Sequence, residues 1–246
     1  MMHKKVMLVT GASRGIGAAT AYEAAMAGYY VVINYNSSEE QARTLAEKII
    51  NDGGECKAVK ADISNADAAS FLCAEAIKYS GKIDVLVNNA GISSFSLFTD
   101  ITDELWKKTF DVNVNGNFYV TRNVVPHMVR EKNGKIINIS SVWGICGSSC
   151  EVHYSATKAA IIGMTKALAK ELGPSHITVN CIAPGVVDTE MNSVLSKEDM
   201  QALCEETPLE RIGKPSEIAK SVLFLASEDA DFITGQVLSP NGGFVI

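Results

Sequence analysis

No stretch of this sequence approaches the roughly 20 consecutive apolar residues that a membrane span requires, which argues against a membrane-embedded function. Positive charge is not in excess either. The formal net charge is −6, which argues against nonspecific nucleic-acid binding and against attraction to an anionic membrane surface. Cysteine is present without pattern. Cys56, Cys73, Cys146, Cys150, Cys181 and Cys204 include no Cys-x-x-Cys pair. Cys146, Cys150 and His153 are too few and too irregularly spaced for a tetrahedral zinc site, so no metal is expected. Cys146 and Cys150 read instead as small apolar groups lining a loop. The start, Met1 to Thr10, is basic and then briefly apolar. That run is too short for a secretory leader and leads straight into a glycine turn, so it reads as a first strand. Reduced thiols in a cytoplasmic protein follow from that reading.

Linkers, internal repeats and low-complexity segments are also missing, so the 246 residues read as one domain, 1–246. Apolar runs alternate with helical patterns along it. Strands are expected at 5–10, 30–34, 56–60, 83–87, 135–140, 177–183 and 235–238. Helices are expected at 15–27, 39–52, 67–80, 102–131, 154–173 and 215–226, with a short one near 197–205. The strands are rich in Val and Ile with little polar alternation, which signals burial on both faces and a parallel sheet. Repeated β-α units predict an α/β, Rossmann-type doubly wound fold, with seven parallel strands and helices on both faces. Pro126 lies inside the 102–131 pattern, where a kink is expected. The stretch 185–214 is the least regular and reads as a mobile lid rather than a core element.

A glycine-rich turn, Thr10-Gly11-Ala12-Ser13-Arg14-Gly15-Ile16-Gly17, follows the first strand and opens a helix. Small residues there let the backbone approach a pyrophosphate, and a helix N-terminus favours its negative charge. The second strand ends Val32-Ile33-Asn34-Tyr35-Asn36-Ser37-Ser38, with no acid to hold the ribose 2′-hydroxyl of NAD. Arg14 can pair with a 2′-phosphate, so NADP(H) is the expected cofactor; the alternative for Arg14 is a solvated surface charge. Asp62 and Ile63 follow the third strand and Asn88-Asn89-Ala90-Gly91 the fourth, both at carboxyl ends, where open α/β sheets bind ligands. Asp62 can accept from the adenine amino group. For Asn88 and Asn89 two readings stand together: lining the cofactor and tying strand ends.

Tyr154 and Lys158 are four residues apart on a helix and share a face. A phenol beside a fixed ammonium can exchange a proton near neutral pH, although its free pKa is about 10. Ser141 lies thirteen residues before Tyr154, behind the apolar run Ile136-Ile137-Asn138-Ile139. Together with the glycine turn, these residues specify nicotinamide-dependent carbonyl reduction.

On these residues the sequence resembles the short-chain dehydrogenase/reductase family over essentially its whole length. The matching motifs are Thr10-Gly11 to Gly17, Asn88-Asn89-Ala90-Gly91, Asn113, Ser141, Tyr154 with Lys158, and Pro184-Gly185 with Thr189. Within the family it is similar to the 3-oxoacyl-[acyl-carrier-protein] reductases of fatty acid biosynthesis, as seen in Ile177-Thr178-Val179-Asn180, Phe232-Ile233-Thr234-Gly235 and Asn241-Gly242-Gly243. The resemblance implies that Tyr154 is the general acid in reduction and that Ser141 holds the carbonyl oxygen. It further implies that Lys158 binds the nicotinamide ribose and favours the tyrosinate, while Asn113 holds a proton-relaying water. The implied cofactor contacts are Gly11, Ser13, Arg14, Gly15, Ile16, Gly17, Asn36, Ser37, Asp62, Ile63, Asn89, Ala90, Gly91, Tyr154, Lys158, Pro184, Gly185, Val187 and Thr189. A homotetramer is implied too, with the helices at 102–131 and 154–173 in one shared interface.

The loop Val142-Trp143-Gly144-Ile145-Cys146-Gly147-Ser148-Ser149-Cys150-Glu151-Val152-His153 departs from the carrier-protein reductases. It resembles a subgroup that reduces a 5-aminopentanone group on elongation factor P, a ketone on a modified lysine with a free amine. Acyl-carrier protein is acidic and wants basic residues near the mouth, for which Arg130 and Lys132 are candidates. An amine-bearing ketone wants an acid and an aromatic face, which Glu151 and Trp143 can supply. The other reading of Glu151 is an acid favoured at a helix start. A different class of function, a dinucleotide-binding sensor or scaffold without turnover, is disfavoured because Asn113, Ser141, Tyr154 and Lys158 are all present.

Overall fold

The computed structural model describes residues 4–192 and 195–246. Met1, Met2 and His3 of the basic start lie outside the described residues, as do Ser193 and Val194 within the 185–214 stretch. In chain order the elements are β1 (Val6–Val9), α1 (Gly15–Met26), β2 (Tyr30–Tyr35), α2 (Glu39–Asn51), β3 (Glu55–Lys60), α3 (Ala66–Ile77), β4 (Val85–Asn88) and α4 (Asp103–Phe110). They continue with α5 (Gly116–Glu131), β5 (Gly134–Ile139), α6 (Trp143–Cys146), α7 (Val152–Leu172), β6 (Ile177–Ile182), α8 (Lys197–Glu206), α9 (Pro215–Ala226) and β7 (Val237–Leu238). The strands form one parallel sheet in the order β3-β2-β1-β4-β5-β6-β7.

Alternation along each strand divides the core between the two faces of the sheet. Met7 and Val9, Val31 and Ile33, Val85 and Val87, and Ile137 and Ile139 point to one side, where α1, α2 and α9 cover them. Val6 and Leu8, Val32, Leu86 and Ile136 point to the other, beneath α3, α5 and α7. Such central strands are apolar at successive positions because both faces are dry, and each fully buried Leu or Ile contributes about 1.5–3 kcal/mol. Chain order reverses where β1 is flanked by β2 on one side and β4 on the other. Parallel strands diverging there open a crevice at their carboxyl ends.

The edges depart from the expectation. β3 alternates exposed and covered residues along its length because it is an edge strand. The last strand shortens to Val237–Leu238. The 102–131 pattern resolves into α4 and α5 joined by a π-type turn, Asp111–Asn115, and α5 stays helical through Pro126. The break in the α pattern falls at Asn113, where the site needs it, rather than at the proline. The 185–214 stretch contains a 3-10 turn at Glu190–Asn192 and α8, which has no buried residue. Among the described residues no helix is long and apolar enough to cross a membrane.

Candidate active site

At the carboxyl ends of the strands lies a cleft of about 1730 Å³. That exceeds the roughly 300–1,000 Å³ of a single-ligand pocket and leaves room for a dinucleotide and a second molecule together. Of the implied catalytic residues and cofactor contacts, together with Trp143 and Glu151, all but Gly17 and Asn113 line it.

Its first half is built from strand ends locked together by buried polar side chains. Asn34, 2% exposed, accepts from the Gly11 amide at 3.2 Å and donates to the Ala61 carbonyl at 3.0 Å, tying β1, β2 and β3. Thr10 Oγ1 accepts from the amides of Asn89 and Ala90 at 2.9 and 3.1 Å. Asn89 Nδ2 returns bonds to the carbonyls of Thr10 and Gly11 at 2.9 and 3.0 Å. The side chain of Asn88 is buried against Thr121 and Asn138, at 2.9 Å from each. Both asparagines therefore tie strand ends, and Asn89 also lines the cleft.

This packing explains two of the glycines. Gly11 has φ +59°, and a Cβ there would lie 2.7 Å from the Ala90 Cα. A Cβ on Gly17 would lie 2.4 Å from Asn89 Nδ2 and 2.5 Å from the Gly11 carbonyl. Gly17 thus serves close packing behind the turn rather than contact with a ligand. α1 begins at Arg14 with no side-chain cap and no acid in its first turn, which leaves its N-terminal amides suited to a pyrophosphate. The Arg14 guanidinium lies 3.3 Å from the Glu190 carboxylate, with both side chains more than half exposed. A pair so exposed contributes at most about 1 kcal/mol and yields readily to a phosphate. Asp62 turns its carboxylate to the amide and hydroxyl of Ser64, while Asn36 and Ser37 line the wall beyond β2.

α7 brings the chemistry into the same cleft. Tyr154 and Lys158 stand on its buried face, 8% and 4% exposed, and Ser141 follows β5. The Lys158 ammonium is 5.5 Å from the centre of the Tyr154 ring and donates to the Ile139 carbonyl at 2.9 Å. Burial pushes the lysine down to about 8. Burial also pushes the Tyr154 phenol up, the Glu151 carboxylate adds to the rise, and a hydrogen bond with Ser141 opposes it. Where the sequence led to the expectation of a phenol exchanging its proton near neutrality, desolvation in the cleft favours the protonated form. Asn113 sits at the back, 1% exposed. Its Nδ2 donates to the Ile92 carbonyl and to Thr157 Oγ1, both at 3.0 Å, and its Oδ1 accepts from the Ile92 amide at 2.8 Å. Both its amide hydrogens are committed to holding the chain beside the catalytic helix.

The substrate side differs from the expectation in three ways. Arg130 and Lys132 do not line the cleft. They close α5 just before β5 begins, and a helix antiparallel to the strands carries its C-terminus to the opposite edge of the sheet. Cys146 and Cys150 are also absent from the cleft wall; Cys146 is exposed, and Cys150 holds a left-handed φ of +61°. Glu151, an acid in a polar loop, is only 6% exposed. Its carboxylate accepts from Ser93 Oγ at 2.5 Å. Burial holds its carboxyl above the usual range, opposed by the hydroxyls of Ser93 and Ser148. Trp143 packs edge-on against Phe244, with ring centres 5.5 Å apart. Asn34, Ser93, Leu203, Glu206 and Phe244 escaped the sequence reading. Only Asn34, a polar residue closing an apolar strand, carried a signal that could have found it.

A family profile described as enoyl-(acyl carrier protein) reductase matches residues 11–245. A 3-oxoacyl-[acyl-carrier-protein] reductase of Staphylococcus aureus is 41% identical over 243 residues, covering 99% of each chain. One of Aquifex aeolicus is 44% identical, covering 97% of this chain and 96% of the relative. A solved short-chain dehydrogenase/reductase of Serratia marcescens, in a mutant form, superposes with a TM-score of 0.91 at 35% identity, covering 98% of this chain and 97% of that one. This chain belongs to the short-chain dehydrogenase/reductase family. Short-chain dehydrogenases/reductases are oxidoreductases of CH–OH and C=O groups that use a nicotinamide dinucleotide, and the glycine turn, the uncapped α1 and the buried lysine of this cleft fit such a cofactor.

Proposed function

We propose that this protein reduces a ketone to a secondary alcohol with NADPH, and that 3-oxoacyl thioesters on acyl-carrier protein, named for its curated relatives, are one class of its substrates. The observation that carries the reading is a buried Tyr154 with the Lys158 ammonium 5.5 Å from its ring centre and Ser141 in the same wall, inside a dinucleotide-sized cleft. Arg14 supports NADPH over NADH, since no acid stands at Asn34, Asn36 or Ser37 to hold a ribose 2′-hydroxyl. Bound NADPH would supply a hydride to the carbonyl carbon. Ser141 Oγ then holds the carbonyl oxygen as negative charge develops on it, and Tyr154 delivers its proton to that oxygen. Lys158, with its ammonium donating to one carbonyl, has hydrogens left for the nicotinamide ribose and stabilises the tyrosinate that proton transfer leaves. Asn113 acts from behind by fixing Ile92 and Thr157; a water relay would have to use its backbone or a remaining lone pair.

The protein is expected to work in the cytoplasm as a homotetramer. Exposed Trp106, Phe118 and Val129 on α4 and α5 support that assembly as an apolar face requiring cover. A second partner, elongation factor P bearing an amino-ketone on a modified lysine, is favoured by the acid at Glu151, which lines the cleft. The experiment is loss of NADPH absorbance with an acetoacetyl thioester. Turnover that requires both protein and ketone supports the reading, and its absence with every ketone offered, the amino-ketone included, overturns it.

A further inference from the structure

The turn of α7 that carries the proton donor lacks the usual local anchor. Its N-cap is Glu151, whose side chain makes no hydrogen bond to the helix backbone, and helix ends without such a cap fray. The residue before it, Cys150, holds a left-handed φ of +61°, which a side chain other than glycine adopts only under constraint. The first turn is nevertheless closed, with the Ser155 amide 2.8 Å from the Glu151 carbonyl.

What holds it comes from elsewhere in the chain. The residues that leave β4 past Gly91 bond, almost one by one, to the start of α7. Ser93 Oγ donates to the Glu151 carboxylate at 2.5 Å, Ser94 Oγ lies 3.0 Å from His153 Nε2, and the Ser96 amide donates to the Cys150 carbonyl at 2.8 Å. Behind them Asn113 joins Ile92 to Thr157, whose hydroxyl donates to the Tyr154 carbonyl at 2.7 Å. His153 is the innermost rung. It is 0% exposed, stands immediately before Tyr154 and does not line the cleft. Among the described residues Ser94 is the polar partner of its ring, and Nδ1 has none. Burial pushes the imidazole down from its ordinary value, which keeps it neutral and suits it to a hydrogen bond rather than to a charge. Enclosed in this way, His153 acts on the reaction only through its neighbours, and the nearest along the chain is the proton donor.

We propose that His153 is a positioning residue: its bond to Ser94 docks the first turn of α7 onto the segment leaving β4 and thereby aims the Tyr154 hydroxyl at the carbonyl. The inference rests on the ketone-reductase reading and deepens it. Misplacing a reacting group by about 1 Å costs up to about 10²-fold in rate. A first turn free to shift is therefore felt in the rate of reduction rather than in substrate binding.

The test is a double-mutant cycle, Ser94→Ala and His153→Leu, read by single-turnover reduction of an acetoacetyl thioester at saturating NADPH. Each variant should slow reduction by about tenfold while half-saturation by the thioester stays within about threefold of the parent. The pair should be no slower than either alone, because one shared contact has been removed. Ser94→Thr keeps the hydroxyl and should stay within about threefold of the parent rate. A second measurement needs no substrate: amide exchange across residues 150–157 should quicken by about fivefold or more in Ser94→Ala. Independent, additive losses overturn the proposal. So does a Ser94→Ala effect confined to half-saturation, which would make Ser94 a substrate contact, and so does a Ser94→Ala protein with parental rate and parental exchange. If His153→Leu does not fold, Ser94→Ala against Ser94→Thr decides: loss with the first and retention with the second is expected, and equal rates overturn it. Failure of the parent to reduce any ketone sinks the reductase reading itself, and amide exchange then decides by itself whether Ser94 holds the start of α7.

Discussion

The two halves of the cleft are built on different principles. In the cofactor half, backbone is held by buried side chains: Asn34 spans β1 to β3, and Thr10 and Asn89 clasp β1 to β4. The strand ends there are fixed by side chains that are themselves held in place. In the substrate half, the wall is made of side chains on short elements: Trp143 on a four-residue helix, Glu151 at a helix start, Glu206 on an α8 with no buried residue. One half demands particular residues for the sheet to close at all; the other tolerates many, and its identity is chemical rather than architectural. Catalysis sits on the seam, where Tyr154 and Lys158 project from the long buried helix α7.

This contrast can be broken from the catalytic side first. Lys158→Met keeps the length and removes the ammonium, so reductive kcat/KM should fall by about 10²–10³-fold, the scale of losing one preorganised charge donor, with weaker NADPH binding measured by fluorescence titration. Next is the scaffold. Asn34→Leu strands the buried Ala61 carbonyl, at about 1–3 kcal/mol, and removes the partner of the part-buried Gly11 amide. Thermal unfolding should therefore occur several degrees lower, at roughly 2–4 °C per kcal/mol for a chain of this size, with cofactor affinity falling alongside. An equal loss from Trp143→Ala would blur the distinction between the halves.

A smaller effect is expected from Arg14→Ala. It should erase most of an NADPH preference of about tenfold or more in kcat/KM, since the pairing lost is one charge-assisted contact; unmodified enzyme that uses NADH equally well would remove Arg14 from the account. The smallest effect is in pH. Burial lowers Lys158 to about 8, so its charge is full below that pH and lost as pH rises through it. Tyr154 is shifted upward and remains a proton donor across the same window. Reductive kcat/KM should accordingly fall along a limb near pH 8, with about half its plateau value there. A limb only above pH 10 would mean that Lys158 is better solvated than its burial implies.

The same contrast explains what could be read from the sequence. The parallel sheet was legible because Met7 to Val9, Val31 to Ile33 and Val85 to Val87 are apolar at every position, and only strands covered on both faces require that. The glycine turn was legible because Gly11 and Gly17 leave no room for a Cβ. Asn113 could be located but not explained, since its work depends on a π-type turn that nothing in the local 102–131 pattern distinguishes from a plain helix. Arg130 and Lys132 misled because distance along a chain says nothing about which edge of a sheet a helix end reaches. Glu151 misled in degree: a charged residue in a polar loop reads as exposed, and only the folding of Ser93 and Ser148 around it creates a buried carboxylate.

The central claim, that Tyr154 gives the proton to a ketone held in this cleft, is tested most directly by Tyr154→Phe, which removes one hydroxyl and keeps the ring. Single-turnover reduction of an acetoacetyl thioester should slow by about 10²-fold or more, the usual scale of a lost general acid, while NADPH affinity stays within about threefold of the parent because the phenol hydroxyl is a minor part of that site. A variant that binds NADPH normally and reduces the ketone within about threefold of the parent rate would contradict the account.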